Sequence, residues 1–408
     1  MNRCDNGQVT TPPISAEPAV LHVDLDAVAS NAQAFQELIG DAELMAVVKA
    51  NAYGLGRNEV AGRLWDDGVR WFGVSHFDEA LALRRFFDSR GIPADQARIF
   101  SWLGPANDSW ARMLEENIDV SVSSLEQLKQ VRKAVDETRS GGEAPARIHL
   151  KVDVGMGRGG ATLQDLPKLS EAVLEALEAG QATLVGLWSH LPNADDADTE
   201  VTQAHIQTFK EAHALVRSLG LEPEMAHLGA TSAALWHPEA HLDMVRVGLG
   251  LYGHSPAPER TLDERATLKP AATFTSSITQ VKKLEPGQTV SYGGTWEAKQ
   301  PTWVGLLPVG YADGVPRFLS GVGVVHVENG SGAIPASILG RVCMDQTMIN
   351  LGGGDAPAAQ VGDQVVLFGD PAKGYASVED WAEAGDTINY EIISALPSHV
   401  RRAYDPGI

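Results

Sequence analysis

The feature of the sequence that most limits its fold is a regular alternation of short apolar runs with amphipathic stretches. Apolar runs of four to eight residues that end in Gly or polar residues are typical of buried strands in a parallel sheet. Eight such runs alternate with helical patterns, which is the count of a (β/α)8 barrel, and a doubly wound sheet is the alternative. The predicted strands are 44–50, Trp71–Val74, 97–101, 120–122, 148–152, 184–189, 224–228 and Met244–Val247, and the helical patterns include 79–87, 125–135, 169–178 and 202–219.

A second pattern begins near Ser255. From there strand-like alternation dominates and Gly and Pro turns interrupt it often, as expected for a β domain. The predicted strands of this part are 272–281, 303–307, 322–327 and 364–368, and two short helical pieces, 378–384 and 389–396, follow at the end. A chain of 408 residues is also too long for one core. We therefore predict a polar, Pro-rich, disordered extension at 1–18, a barrel domain at 19–254 and an all-β domain at 255–408. The extension has no apolar core that would make it a targeting peptide.

Charge and cysteine content narrow the partners and the location. The formal net charge of −21 argues against nucleic acid and anionic membranes as partners. The sequence contains no uninterrupted apolar segment of the length that spans a bilayer. Cys4 and Cys343 are the two cysteines of the chain, so a disulfide framework is not expected and a reducing cytoplasm is the simplest location.

Lys49 stands where the first predicted barrel strand ends, in Met45-Ala-Val-Val-Lys49-Ala-Asn-Ala-Tyr53-Gly-Leu-Gly56. A partly desolvated amine has a lowered pKa and becomes a nucleophile or base near neutral pH, as a lysine that forms a Schiff base requires. The alternative is a lysine with a buried stem whose ammonium group reaches water.

Other polar side chains fall at the carboxyl ends of later predicted strands, where barrel chemistry collects. They are Lys151 and Asp153 after the fifth strand, His190 after the sixth, His227 at the seventh and Arg246 in the eighth. A loop with glycine at three places, Val154-Gly-Met-Gly-Arg158-Gly-Gly, leaves Arg158 able to reach a carboxylate. The structural alternatives are a surface ion pair for Arg158 and a buried core group for each histidine. The histidines lack ligand spacing, so no metal site is predicted.

The segment around Lys49 resembles the pyridoxal-phosphate attachment signature of alanine racemases. Further blocks are similar to that family and occur in its order from about Val20 onward. These blocks are Lys151-Val-Asp-Val-Gly-Met-Gly-Arg158, Met244-Val-Arg246-Val-Gly, Ser291-Tyr292-Gly-Gly-Thr, Gly310-Tyr311-Ala-Asp-Gly, Val342-Cys343-Met344-Asp345-Gln and Thr387-Ile-Asn-Tyr390-Glu. The resemblance implies a barrel with a carboxy-terminal β domain and a pyridoxal 5′-phosphate cofactor. It also implies a head-to-tail homodimer that interconverts the enantiomers of alanine and supplies D-alanine for peptidoglycan.

The resemblance also assigns two bases on opposite faces of the substrate. Lys49 would carry the cofactor and act on D-alanine, whereas Tyr292 of the partner subunit would act on L-alanine. A tyrosine has an unperturbed pKa of about 10 and needs help to act as a base. His190 and Arg246 would supply that help, and His227 would support Arg246. Arg246 would also face the pyridine nitrogen and keep it unprotonated, which discourages side reactions.

The remaining roles concern binding. Arg158 would face the phenolic oxygen and the substrate carboxylate, positioned by Lys151, which matches a lysine that is carbamylated in some members. The phosphate would be held by Tyr53, Thr231, Gly248, Leu249 and Tyr390, and the substrate by Met344 and Tyr311 with Asp345 nearby. Tyr311 and Tyr390 favour alanine over larger amino acids, with serine as a possible minor substrate.

The chain departs from the family pattern at Ala230-Thr231, where Asn-Ser is usual, at Val154 and at Trp102. The alternatives are a racemase of broader specificity, a decarboxylase of similar layout and a cofactor-binding protein without turnover. A decarboxylase would place a carboxylate, not Arg246, at the ring nitrogen.

Overall fold

The computed structural model describes residues 17–104, 110–138, 144–329 and 332–405. The predicted disordered extension lies outside these residues as far as residue 16. The described chain forms an α/β barrel and a separate sheet-rich unit, which confirms the predicted fold class.

The barrel is closed by eight parallel strands. Strand β1 (Ala19–Asp24) precedes them and joins the sheet-rich unit. The barrel strands are β2 (Glu43–Val47), β3 (Trp71–Val74), β4 (Arg98–Ser101), β5 (Asp119–Val122), β6 (Ala146–Lys151), β7 (Ala182–Trp188), β8 (Met225–Ala230) and β9 (Met244–Val247). Because β2 pairs with β9, with Met45 opposite Arg246, the sheet closes on itself and the doubly wound alternative is excluded.

Helices connect the barrel strands. They are α1 (Leu25–Ile39), α2 (Lys49–Tyr53), α3 (Arg57–Asp66), α4 (Phe77–Ser89), α5 (Trp110–Glu115), α6 (Leu125–Thr138), α7 (Leu166–Glu178), α8 (Glu200–Ser218) and α9 (Thr231–Trp236). Helix α6 shows why they form, since Leu128, Val131 and Val135 recur at helical spacing and are buried. The carboxylate of Asp24 caps α1 by accepting a hydrogen bond from the Ala27 amide.

Large apolar side chains fill the barrel interior. The buried cluster consists of Met45, Trp71, Phe100, Val185, Trp188 and Met244. A barrel of eight strands is just wide enough for such side chains to fill it, so the interior is a packed core. Polar groups inside it therefore need protein partners.

The segment that follows β2 differs from the prediction. We predicted a strand at 44–50, but β2 ends at Val47 and α2 is a left-handed turn. Residues 50–53 all have φ between 52° and 55°. L-residues avoid this conformation because Cβ crowds the carbonyl oxygen, at a cost of about 1–2 kcal/mol per residue. The Ala52 amide bonds to the Val48 carbonyl and helps to close this strained turn.

The sheet-rich unit contains a nine-stranded sheet and a two-stranded ribbon. Its strands are β10 (Ala272–Ser277), β11 (Gln280–Leu284), β12 (Thr289–Val290), β13 (Trp296–Glu297), β14 (Thr302–Leu307), β15 (Val324–Glu328), β16 (Ala333–Leu339), β17 (Thr347–Asn350), β18 (Gln364–Phe368) and β19 (Arg401–Asp405). The order in the large sheet is β11-β14-β17-β16-β15-β18-β10-β1-β19.

The predicted strand at 272–281 divides into two because the chain changes partners. Strand β10 pairs with β18, whereas β11 pairs with β14. Between them, the Ile278 amide bonds to the Asp363 carbonyl and the Thr279 amide to the Leu306 carbonyl. An alternating sequence pattern predicts which side chains of a strand are buried, but it does not predict which strand pairs with it.

The compact units do not follow the predicted domain ranges at every point. One unit contains the described part of Met1–His22 with Thr273–Thr387 and Leu396–Ala403, and the other contains Val23–Ala272 with Ile388–Ala395 and residues from Tyr404 onward. Strand β1 joins the large sheet, whereas α11 (Asn389–Ser394), which follows α10 (Val378–Ala384), belongs with the barrel. None of the helices in the described ranges combines the length and the hydropathy required to cross a bilayer.

Candidate active site

Lys49 lies two residues beyond the end of β2, as the first residue of the left-handed turn. Its Nζ is 5.9 Å from the ring centroids of both Tyr53 and Trp102. Burial lowers the pKa of Lys49, Arg158 lowers it further, and Glu79 acts in the opposite direction. The amine is therefore deprotonated more easily than that of an exposed lysine, as the sequence predicted for a nucleophile or base.

Arg246 is 5 % exposed and is anchored by its two terminal nitrogens. Nη1 donates to Nδ1 of His227 at 3.1 Å. Nη2 donates to the carbonyls of Ser189 at 2.8 Å and Leu228 at 3.1 Å, and to Nδ1 of His190 at 3.3 Å. Nε takes part in none of these bonds, so its N–H stays available to a ligand. Burial lowers the pKa of Arg246 to about 9, which still leaves a cation at neutral pH.

His190 follows β7 and lies among cations. Burial lowers its pKa to about 3, with further lowering from Arg246, Arg158, Lys151 and Lys49. The imidazole is therefore neutral at physiological pH. Since Nδ1 accepts from Arg246, Nε2 carries the hydrogen and is the donor of the ring.

Lys151 ends β6, and its ammonium lies 4.5 Å from the Trp188 ring centroid. Burial lowers the pKa of Lys151 to about 8, and Arg158 and Arg246 lower it too, against Asp153. The Asp153 carboxylate accepts hydrogen bonds from the amides of Gly155 and Gly157, which fixes the start of the glycine loop. Arg158, later in this loop, is exposed, as a group that must reach a ligand requires.

A cradle of hydroxyls and amides lies where β9 ends and α9 begins. Thr231 Oγ1 accepts from the amides of Gly248 at 3.2 Å and Gly250 at 3.5 Å. A Cβ at position 248 would lie 2.5 Å from the Tyr53 hydroxyl, so only glycine allows this close approach. The Tyr53 and Tyr390 ring centroids are 6.2 Å apart, and burial raises the pKa of both phenols. Leu249, the next residue, is buried in the 3-10 turn that follows.

The sheet-rich unit brings a second set of predicted residues together. Tyr292 is 72 % exposed, Met344 54 % and Tyr311 44 %. The Tyr311 amide donates to the Cys343 carbonyl at 2.9 Å, which joins the two loops. Tyr292, Met344 and Asp345 line one open cavity on this surface. Within their own unit, these polar or amphipathic side chains are exposed to solvent.

Two fully buried residues, His149 and Asp119, join this site without having been predicted from the sequence. His149 Nδ1 lies 2.9 Å from His227 Nε2, and its Nε2 lies 3.2 Å from Asp119 Oδ2. A signal was present, because Arg147, His149 and Lys151 alternate with apolar residues along β6. The side chains of residues two apart point to the same face of a strand. Three ionisable residues on one face of β6 therefore indicate a row of polar side chains along that strand.

The fold defines the class of protein, an α/β-barrel protein with a carboxy-terminal sheet-rich domain. The family models of the alanine racemase N-terminal and C-terminal domains match residues 23–256 and 271–404. The alanine racemase of Beutenbergia cavernae is 40 % identical, over 96 % of this chain and 98 % of its own length. A solved alanine racemase from Streptomyces coelicolor has a TM-score of 0.88 at 38 % identity, covering 95 % of this chain and 97 % of that one. For one from Bacillus anthracis the TM-score is 0.83 at 32 % identity, with 95 % of both chains covered.

The chain therefore belongs to the alanine racemase family, a family of isomerases. Membership supports racemisation of alanine as its activity.

Proposed function

We propose that this chain interconverts L-alanine and D-alanine with pyridoxal 5′-phosphate bound at the carboxyl edge of the barrel, using Lys49 and Tyr292 of the partner subunit as two opposed bases. The observation that carries the proposal is a lysine of lowered pKa at the same barrel edge as a buried arginine whose Nε–H takes part in none of its hydrogen bonds to the protein. The residues around this pair determine whether such a cofactor fits.

The donor set fits a phosphorylated pyridine. Thr231 donates its hydroxyl hydrogen, since its oxygen already accepts from two amides, and the phenols of Tyr53 and Tyr390 add two donors. Gly248 and Leu249 contribute backbone at a close approach. Ala230 contributes no side-chain amide, so this cradle depends on Thr231 and the two tyrosines.

At the opposite end of the cofactor, Nε of Arg246 supports the assignment to the ring nitrogen. The guanidinium would donate there without giving up its proton, so it would keep the ring nitrogen of a bound cofactor unprotonated. When bound, the cofactor supplies an electron sink that acidifies the α-proton of alanine. By keeping that nitrogen unprotonated, Arg246 would weaken the electron sink and so disfavour decarboxylation.

Inversion at carbon requires proton transfer on both faces. Lys49, with its lowered pKa, removes the α-proton of D-alanine and returns it in the reverse direction. Tyr292 of the partner subunit does the same for L-alanine. Neutral His190 accepts a hydrogen bond from Arg246 at Nδ1 and can donate one from Nε2 to the oxygen of that tyrosine. The hydrogen bond from the arginine polarises the imidazole, so His190 stabilises the phenolate more strongly.

Substrate recognition depends on a carboxylate clamp and on pocket size. Arg158 is exposed on its glycine loop, and Lys151 lies near enough to influence its charge environment. Met344 of the partner subunit would add a backbone contact to the carboxylate, and Tyr311 and Tyr390 leave room for a methyl side chain. A size limit rejects bulky side chains well and an added hydroxyl poorly, so serine is a minor substrate.

The exposed set on the sheet-rich unit supports a homodimer with shared sites. Tyr292 and Met344 are largely exposed although both are assigned to the chemistry. Complementation tests this assignment. Lys49→Ala and Tyr292→Phe homodimers should each be inactive, but subunit exchange should build one intact site per heterodimer and restore about a quarter of the wild-type activity. No recovery in a mixture with proven exchange would exclude shared sites.

The product, D-alanine, serves peptidoglycan synthesis in this proposal. A cytoplasmic location fits the low cysteine content of the chain.

The decisive experiment follows the circular dichroism of L-alanine in heavy water with purified protein and added cofactor. Decay to zero with deuterium at the α-carbon is the expected result. Deuterium gain without loss of the signal would mean that only one base works. If L-serine decays and L-alanine does not, the specificity assigned here is wrong.

A further inference from the structure

A line of four buried polar side chains runs through the barrel from the proposed cofactor site. Arg246 Nη1 is 3.1 Å from His227 Nδ1, and His227 Nε2 is 2.9 Å from His149 Nδ1. His149 Nε2 is in turn 3.2 Å from Asp119 Oδ2. The two histidines and Asp119 are 0 % exposed. Asp119 is the first residue of β5, so the line ends near the opposite edge of the barrel.

The chemistry of the end groups orients every hydrogen in this line. Arg246 can only donate, so His227 Nδ1 is an acceptor and Nε2 carries the hydrogen. His227 then donates to His149 Nδ1, which leaves the His149 hydrogen on Nε2, directed at Asp119. Burial lowers the pKa of both histidines, in agreement with two neutral rings.

Asp119 is fixed as an acceptor by its surroundings. Arg98 Nη2 lies 2.7 Å from Oδ2, and Arg147 contributes Nε at 2.5 Å from Oδ1 and Nη2 at 3.0 Å from Oδ2. With His149, four N–H groups converge on this carboxyl group. Burial raises the pKa of Asp119, while His149 and Arg98 lower it. If the carboxyl group were protonated, its O–H hydrogen would face the hydrogen of one of these N–H donors. The unprotonated carboxylate, which only accepts hydrogen bonds, is therefore the form that fits.

Gly186 leaves space for the His149 ring because it has no side chain. A Cβ at position 186 would lie 2.3 Å from His149 Nδ1, the atom that accepts from His227. The Trp188 ring stacks on His227 with the planes 5° apart, and Phe100 lies 4.3 Å from the His149 ring centroid. The two imidazoles therefore cannot turn over without displacing the barrel core.

We propose that Asp119 and His149 are positioning residues that set the tautomer of His227 and thereby hold the guanidinium of Arg246 with Nε directed at the proposed cofactor site. The inference rests on the proposed function for the role of Arg246. With the other tautomer of His227, two N–H groups would face each other. A buried donor without an acceptor is destabilising, so the guanidinium would turn away from this arrangement.

The first test uses cofactor-free protein labelled with 15N-histidine. We expect NMR to show both His149 and His227 with hydrogen on Nε2 only, without titration between pH 6 and 9. Asp119→Asn, whose amide can donate to His149, should give a mixture of tautomers in both rings. The matched control is Ser121→Ala on the same strand, which removes an acceptor of Trp188 Nε1 outside the line and should leave the tautomers unchanged. Unchanged tautomers in Asp119→Asn would overturn the proposal.

The second test compares two replacements of His149. Gln can accept from His227 through Oε1 and donate to Asp119 through Nε2, whereas Leu can do neither. We expect His149→Gln to retain the Nε2-H tautomer of His227 and most of kcat. His149→Leu should lose roughly 10- to 100-fold in kcat at unchanged KM, because a displacement of about 1 Å has an effect of that order. Equal kcat values for the two variants, per folded molecule, would overturn the proposal.

Gly186→Ala provides a third variant if His149→Leu does not fold, since its Cβ displaces His149 while all four residues of the line keep their identity. It should give mixed tautomers, and wild-type tautomers in this variant would contradict the proposal. Failure of the proposed function is distinguishable, because the tautomers are measured without cofactor and without turnover. A wild-type protein that does not racemise alanine would remove the proposed function and leave the tautomer test intact.

Discussion

The barrel edge and the exposed cavity of the sheet-rich unit differ in how complete they are as sites. Lys49, His190 and Arg246 are buried or partly buried, hydrogen-bonded or enclosed by aromatic rings, and their pKa values are lowered. Tyr292 and Met344 stand on an open surface. One chain thus assembles and tunes the first group by itself. The second group obtains a low-dielectric setting only when another surface covers it.

The largest expected effect concerns the barrel edge. Lys49→Ala should lower racemisation by about 10⁴-fold or more, because it removes the proposed cofactor attachment and one of the two proposed bases. Mass spectrometry after borohydride reduction should find no cofactor linked to the variant. Lys151→Met is the matched control, since Lys151 also has a lowered pKa, and it should keep the linkage. A reducible linkage in Lys49→Ala would assign the attachment to another lysine.

Tyr292→Phe tests the exposed group and should lower racemisation in both directions by about 10³-fold. The two enantiomers should differ in α-hydrogen exchange. In heavy water D-alanine should still gain α-deuterium through Lys49, without inversion, whereas L-alanine should gain little. Equal exchange from both enantiomers would make Tyr292 dispensable as the second base.

The buried cations around His190 predict a specific acid sensitivity of the cofactor-free protein. The folded-state pKa is about 3, below the unfolded value of about 6.5, so the unfolded chain binds more protons between these values. Stability that is complete above pH 6.5 is therefore lost as the pH falls toward 3. His190→Asn should reduce the loss between pH 7 and pH 5 by about 1–2 kcal/mol in urea unfolding.

The control for this experiment is His76→Asn, because the His76 side chain is 68 % exposed. This variant should keep the pH dependence of the wild type. If both variants lose the same amount of stability between pH 7 and pH 5, burial of His190 among cations does not cause the acid sensitivity.

The smallest expected effect separates the strained turn from an ordinary helix. Ala50 is exposed at φ 52°, so Ala50→Gly should raise the free energy of unfolding by about 1 kcal/mol. Ala214, exposed in right-handed α8, should show the opposite sign, a loss of about 0.5–1 kcal/mol on change to Gly. We also expect Ala50→Gly to lower kcat, because Lys49 loses a rigid support. Equal signs in chemical denaturation would show that the turn stores no strain.

Much of the architecture followed from the alternation of apolar and amphipathic segments. Strands β3 and β9 were predicted to the residue, as were β18 and α10. The predictions are wrong where tertiary contacts override the local sequence pattern. The strand predicted to include Lys49 ends early at a left-handed turn, and the strand predicted at 272–281 divides because the chain changes partners.

The sequence by itself determined the number of barrel strands, the carboxyl-end position of Lys49 and Arg246, and the family blocks, because all of these depend on local order and periodicity. Tertiary structure alone decided the hydrogen-bond partners. His227 pairs with His149, 78 positions away, and Asp119 joins them from another strand. Barrel closure brings such residues together, and no local pattern encodes their distance. Burial then lowers the pKa values of Lys49 and His190. The extent of this burial depends on the folded structure around each side chain and cannot be read from the sequence.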